Sequence, residues 1–291
     1  MPLFLNVTQR TRMAKILDAQ PIYDELRDDL KKNIATFGKR IGLASLVVGT
    51  NYSSQVYLAS QERFAHDINV DYSFVELGPF ASEHTALKKI EQLNADSRIA
   101  GIIANKPFPT TWREQAIFSA IACAKDIEGV TPHNLGLICL GEPAFISPTV
   151  LSVLEFLKRT KINLYGKEVV IVGFSTIIGK PLVLLLAHHF ATVTVTHIAT
   201  YEAKRLPFYI ENADIVISAV GKPSLIKGAW IKKGAIVIDV GTGERDGKIA
   251  GDVEFEEVAK RASCITPVPG GVGKLTTLFL FKNLLKAATG I

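Results

Sequence analysis

The stretch Gly166–Pro181, GKEVVIVGFSTIIGKP, narrows the local fold more than any other part of the chain. Val169-Val170-Ile171-Val172 reads as a buried strand, Ile177 to about His189 as a helix, and Gly173-Phe174-Ser175-Thr176-Ile177-Ile178-Gly179 as the tight turn between them. In such a turn glycine lets the backbone approach a ligand, and the unpaired N–H groups of the first helical turn face an anion such as pyrophosphate. The spacing is G-x-S-x-x-x-G rather than G-x-G-x-x-G, so the turn alone leaves a dinucleotide cradle and a plain packing turn both open.

The rest of the chain repeats the alternation of strand and helix. Ile22, Leu26, Leu30 and Ile34 recur every four positions and predict an amphipathic helix over Ala19–Phe37. Apolar runs predict buried strands at Gly42–Val48 and Ile99–Ala104, with a short strand at Asp71–Leu77 between them; helices are expected at Ser53–Ile68 and Ser82–Leu93, and then at Trp112–Ala124. Thr131-Pro132-His133-Asn134 reads as loop, and Val150–Arg159 as a bridging helix. Beyond the glycine turn, Ala191–Thr196, Asp214–Val220 and Ala235–Val240 are short β-branched strands of the parallel type. They end at His197, at Gly221-Lys222-Pro223 and at Gly241-Thr242-Gly243, as strands do when they converge on one ligand crevice. Ile265–Gly273 is a proline- and glycine-rich loop before a helix over Leu275–Ala288. The alternation implies an α/β chain with right-handed crossovers.

At 291 residues there is room for two domains. No apolar run approaches the roughly eighteen residues that span a bilayer, so no membrane role is expected. MPLFLNVTQRTRMAK has a short apolar run and no small-residue cleavage site, and no secretory signal is expected. Cys123, Cys139 and Cys264 are scattered without metal-ligand spacing, which fits a cytoplasmic protein with no metal. The net charge of +5 comes from dispersed lysines and arginines, which argues against a nucleic-acid groove.

Three places carry candidate chemistry. Ser54, Tyr57 and Gln61 share one face of the helix that follows strand Gly42–Val48, either as a ligand face or as an ordinary amphipathic surface. Asp126 sits in a loop where a carboxylate either orients a ring nitrogen or caps a turn. Pro269-Gly270-Gly271 offers backbone to a flat ligand or a plain crossing between domains.

Lys125-Asp126-Ile127-Glu128-Gly129 with Pro132-x-Asn134, Gly173-x-Ser175-x-Ile177-x-Gly179-x-Pro181, Asp214 to Gly221, Asp239-Val240-Gly241, Gly251-Asp252-Val253 and Thr266 to Gly273 together resemble a known family. It is the bifunctional methylenetetrahydrofolate dehydrogenase/methenyltetrahydrofolate cyclohydrolase family, and the likeness begins at Ile16-Leu17-Asp18 and covers nearly the whole chain. The resemblance implies an N-terminal α/β folate domain over residues 1–149, completed by a C-terminal helix 276–291, and a Rossmann-type doubly wound parallel sheet over 150–275. It also implies a cleft between the domains, a homodimer through the Rossmann domain, and hydride transfer from 5,10-methylenetetrahydrofolate to NADP or NAD followed by hydrolysis of the methenyl product. Tyr57 then stacks on the folate aromatic ring, Asp126 binds the pterin, and Pro269, Gly270 and Gly271 face the substrate. Gly173, Phe174, Ser175, Ile177, Gly179, Ile198, Thr242 and Gly273 fall at dinucleotide positions.

The departures from that family are specific. Its catalytic lysine is Gln61 here, and the glutamine of its Q-L-P-L-P segment is Asn105, one methylene shorter. An ammonium stabilises developing negative charge and moves protons during water attack on the methenyl carbon, and an amide does neither at neutral pH. Hydride transfer asks chiefly for orientation of donor and acceptor. The expectation is a dehydrogenase with weak or absent cyclohydrolase activity. The alternatives are the full bifunctional enzyme, with Lys106 or a water in the lysine's place, and a non-catalytic folate-binding homologue. Phe174 and Ile198 stand where the family reads the 2′-phosphate of NADP; neither bonds a phosphate, no acid ends strand Ala191–Thr196, and Lys204 and Arg205 lie nearby. This leans toward weakened NADP selectivity, with the choice between NADP and NAD open. Lys274 and Val150 replace a family proline and glycine.

Overall fold

The computed structural model describes residues 13–49 and 52–290, and the side chains of 52–57 lie outside that description. Strand Gly42–Val48 runs between Asp71–Leu77 and Ile99–Ala104 in a parallel three-stranded sheet. Every residue of the central strand except Val48 is buried, because helices cover both faces and leave no side for a polar alternation. Five further strands, Glu168–Val172, Thr192–Thr196, Ile215–Ser218, Ile236–Asp239 and Cys264–Ile265, form most of a second parallel sheet. Its sixth strand is Lys15–Ile16, which pairs with Cys264–Ile265, so this segment leaves the first expected domain and joins the second sheet. From Glu168–Val172 the chain passes to Thr192–Thr196 on one side and then to Ile215–Ser218 on the other. The order thus reverses at the carboxyl end of Glu168–Val172, where open α/β sheets bind ligands.

The last helix, Val272–Thr289, belongs to both cores. Val272, Leu275 and Phe279 pack with the second sheet, while Leu278, Phe281 and Leu284 pack with Leu43 and Ile103 of the first and with Leu30 and Ile34 of helix Gln20–Phe37. Gly101 makes room for it, since a Cβ there would lie 2.7 Å from Leu284 Cδ1. Asn283 Nδ2 donates to the carbonyls of Ile127 at 2.7 Å and Ile146 at 2.9 Å, tying the helix to the Asp126 loop.

Two elements differ from the sequence reading. The helix expected over Trp112–Ala124 is only Glu114–Ala120, followed by a short turn at Cys123–Lys125. Asn94 stops it by accepting the Ala122 N–H and donating to the Ala120 carbonyl, and Lys125 Nζ donates to the carbonyls of Leu93, Asn94 and Asp96. Thr131–Asn134 is not loop: Thr131 caps helix Pro132–Leu140 by accepting the Asn134 N–H at 3.3 Å, with Pro132 in the first turn. The hairpin Gly243–Arg245 with Lys248–Ala250 and the short helices Ile198–Glu202 and Leu206–Ile210 carried no periodic signal.

Candidate active site

The turn after strand Glu168–Val172 closes on bare backbone. Gly173 sits at φ +113, where a Cβ would lie 2.6 Å from the Ala219 carbonyl oxygen. A Cβ on Gly179 would strike the Gly173 carbonyl and lie 2.7 Å from Phe174 Cα. The Ser175 hydroxyl accepts the Ile178 N–H at 3.2 Å and fixes the turn ahead of helix Gly179–His188. A groove of about 370 Å³ opens beside it, bordered by four expected residues, Gly173, Phe174, Ser175 and Ile198. His197, Tyr201 and Lys222 add polar groups to an otherwise apolar wall, a lining that suits an adenosine. Gly179 is buried at the helix start, Ile177 packs against the core of the first sheet, and the Thr242 carbonyl lies against Gly221 at the groove's margin. Gly273 is elsewhere, in a depression with Tyr23, Arg63 and Lys274. Lys204 and Arg205 do not border the groove; the Arg205 guanidinium lies over the rings of Phe208 and Tyr209.

Gln61 is fully buried on helix Tyr52–Asp67. Its Oε1 accepts the Tyr72 hydroxyl at 3.0 Å, and on the neighbouring strand Ser45 Oγ accepts Asn105 Nδ2 at 2.8 Å. The first pair ties the helix to strand Asp71–Leu77, and the second ties strand Gly42–Val48 to the end of Ile99–Ala104. Burial pushes the Tyr72 phenol up to about 12, so it is a neutral donor at pH 7. Gln61 Nε2 is buried without a hydrogen-bond partner among the described residues. Buried donors are almost always paired, so this N–H has hydrogen-bonding capacity to spare. Lys106 takes no part, since its ammonium pairs with Glu114 at 2.9 Å on the surface. Ser45 and Tyr72 escaped the sequence reading, although a serine inside the apolar run GLASLVV was the available signal. The Tyr57 side chain lies outside the described residues.

Asp126 is also fully buried. Its Oδ1 accepts the Val130 N–H at 3.1 Å, and its Oδ2 accepts the Thr131 N–H and Asn134 Nδ2, both at 2.8 Å. The carboxylate therefore shapes the entry to helix Pro132–Leu140, and Asn134 Oδ1 beside it is buried with no partner among the described residues. Two residues on, burial and then the Asp126 charge push Glu128 up to about 8. In the loop at Pro269-Gly270-Gly271, Pro269 is exposed and Gly270, at φ +103, accepts the Ala19 N–H at 3.1 Å through its carbonyl.

A second pair of acids stands behind the groove. Asp252 accepts Ser218 Oγ at 2.8 Å, the Val220 N–H at 2.9 Å and the Lys222 N–H at 2.7 Å. Asp239 in turn accepts the N–H groups of Asp252 and Val253, each at 3.1 Å. Burial, then the Asp252 charge, push Asp239 up to about 7. Gly241 and Gly251 are required here because a Cβ on either would run into the carboxylate of Asp252 or Asp239. Among the described residues no group of His, Cys, Asp or Glu is arranged to hold a metal ion.

A glycine-turned groove at the switch point of one parallel sheet, joined by a shared helix to a second α/β unit whose buried Gln61 amide is unpaired among the described residues, defines a two-domain NAD(P)-binding oxidoreductase. Comparison with known proteins narrows the class. The model of the tetrahydrofolate dehydrogenase/cyclohydrolase catalytic domain matches residues 17–128, and that of the NAD(P)-binding domain matches residues 147–290. The chain belongs to the tetrahydrofolate dehydrogenase/cyclohydrolase family. It is 41% identical over 282 residues to the bifunctional protein FolD of Geotalea daltonii, covering 95% of this chain and 99% of the relative. Among solved structures, bifunctional FolD from Campylobacter jejuni superposes with a TM-score of 0.91 at 36% identity over 95% of this chain and 99% of that one. The Trypanosoma brucei enzyme, complexed with NADP cofactor and an inhibitor, gives 0.91 at 33% over 96% and 98%.

Proposed function

We propose that this chain oxidises 5,10-methylenetetrahydrofolate to 5,10-methenyltetrahydrofolate with NAD(P). The observation that carries the reading is the bare-backbone turn at Gly173–Gly179 beside an adenosine-sized groove, in a chain matched by both domain models of the family. The bound nicotinamide supplies the hydride acceptor. The protein's part is orientation: the turn and groove hold the dinucleotide, Gln61 Nε2 donates to the folate, and Tyr72 fixes that amide by donating to its Oε1. Tyr57 stacks on the folate ring, Asp126 with Asn134 faces the pterin, and Pro269 to Gly271 lie along the substrate. Residues 17–149 with the end of the last helix form the folate domain, 150–275 with strand Lys15–Ile16 the dinucleotide domain, and the protein works as a homodimer in the cytoplasm.

Two readings of the hydrolytic step remain. The relatives at 38–41% identity are named bifunctional, which favours an enzyme that also hydrolyses its methenyl product. Nothing in the comparisons supports loss of that activity. The specific observation on the other side is that residue 61 is a buried neutral amide whose described side-chain partner is a phenol and not an ammonium. A spectrophotometric assay decides both points. Methylenetetrahydrofolate with NADP or NAD should produce methenyl absorbance, and no product with either cofactor refutes the dehydrogenase. Rapid enzyme-dependent loss of methenyl absorbance establishes the bifunctional enzyme; loss at the uncatalysed rate establishes the dehydrogenase alone.

A further inference from the structure

The dinucleotide groove contains a lysine that is fixed at its backbone and free at its tip. Asp252 holds the Lys222 N–H at 2.7 Å and the Val220 N–H at 2.9 Å, with Gly221 between them in the left-handed region at φ +69. The Lys222 side chain is exposed and borders the groove, and its ammonium lies 4.4 Å from the centre of the Tyr201 ring, a residue that also borders the groove. Lys222 has no ion-pair partner among the described residues. An exposed cation–π contact is worth about 0.5–1 kcal/mol, less than a charge-assisted bond to a phosphate oxygen.

The rest of the wall makes this amine matter. NAD-selective folds place a carboxylate at the end of the second strand to take the ribose hydroxyls, and here that position is His197 with no Asp or Glu among the bordering residues. Phe174 and Ile198 offer no donor side chain, Arg205 is drawn onto Phe208 and Tyr209, and Lys180 lies over the Phe174 ring. Within the groove an added phosphate therefore meets a cation and no anion.

We propose that Lys222 is the residue that reads the 2′-phosphate of the cofactor, with Tyr201 holding its ammonium at the groove until the phosphate takes it, so that the chain prefers NADP to NAD. This rests on the groove being the adenosine end of the dinucleotide site. The test is a calorimetric titration of the purified protein with adenosine 2′,5′-bisphosphate and with 5′-AMP, for the parent and for Lys222→Gln, Lys222→Arg, Lys180→Gln and Arg205→Gln. The parent should bind the bisphosphate about tenfold or more tighter than 5′-AMP, the margin of one charge-assisted hydrogen bond. Lys222→Gln should lose most of that margin while its 5′-AMP affinity stays within about twofold, and Lys222→Arg should keep it. The proposal is overturned if Lys222→Gln keeps the margin, if it weakens both ligands alike, or if Lys180→Gln or Arg205→Gln removes the margin instead. A parent that binds neither ligand overturns the reading of the groove itself.

Discussion

Replacing Gln61 by lysine tests the site where this chain departs furthest from its family. The residue is fully buried, and its side-chain partner is the Tyr72 hydroxyl at 3.0 Å. A phenol oxygen satisfies one of three ammonium protons, so the new charge is poorly solvated. Burial of this kind lowers a lysine pKa, and a value lowered to about 8 costs about 3 kcal/mol at pH 7. Because the folded pKa then lies below the unfolded one, the unfolded chain binds more protons between the two values and stability rises with pH across that window. Urea unfolding should show Gln61→Lys less stable than the parent at pH 7, with the deficit shrinking toward pH 10. The same variant should hydrolyse methenyltetrahydrofolate faster than the parent, more so with Asn105→Gln beside it, while oxidation of methylenetetrahydrofolate continues. A variant as stable as the parent at pH 7 and no better at hydrolysis would refute the placement of Gln61 against the substrate.

Two further outcomes follow from the glycine turn and from two buried acids. Gly179→Ala forces a Cβ against the Gly173 carbonyl and Phe174 Cα, so NADP and NAD binding, followed by nucleotide fluorescence, should weaken by more than about tenfold; binding within about twofold of the parent would show that the turn is not the cradle. Asp239 and Glu128 have pKa values raised to about 7 and about 8. Each holds a proton in the folded state that the unfolded chain releases, so the stability they contribute at low pH is lost as pH rises through about 4 to 8. Denaturant titrations across that range should show the fall, with a shallower slope in Asp239→Asn; stability that climbs over the same range would contradict both burial assignments.

The sequence by itself determined the local elements that repeat. Gly42–Val48 and Ile99–Ala104 were legible as strands because a strand covered on both faces must be apolar throughout, and the Gly173 turn was legible because bare backbone there admits only glycine. Tertiary structure decided what depends on partners distant along the chain. Helix Glu114–Ala120 stops where Asn94 takes its backbone groups, and Lys15–Ile16 becomes a strand only beside Cys264–Ile265. The contacts of Gln61 with Tyr72 and of Ser45 with Asn105 need the packing and register of three parallel strands, and Lys222 is fixed at the groove by an aspartate 30 residues later. Periodicity reports which face of an element is buried, whereas a buried hydrogen bond depends on two groups meeting in space, and that meeting is set by how the sheets and helices pack.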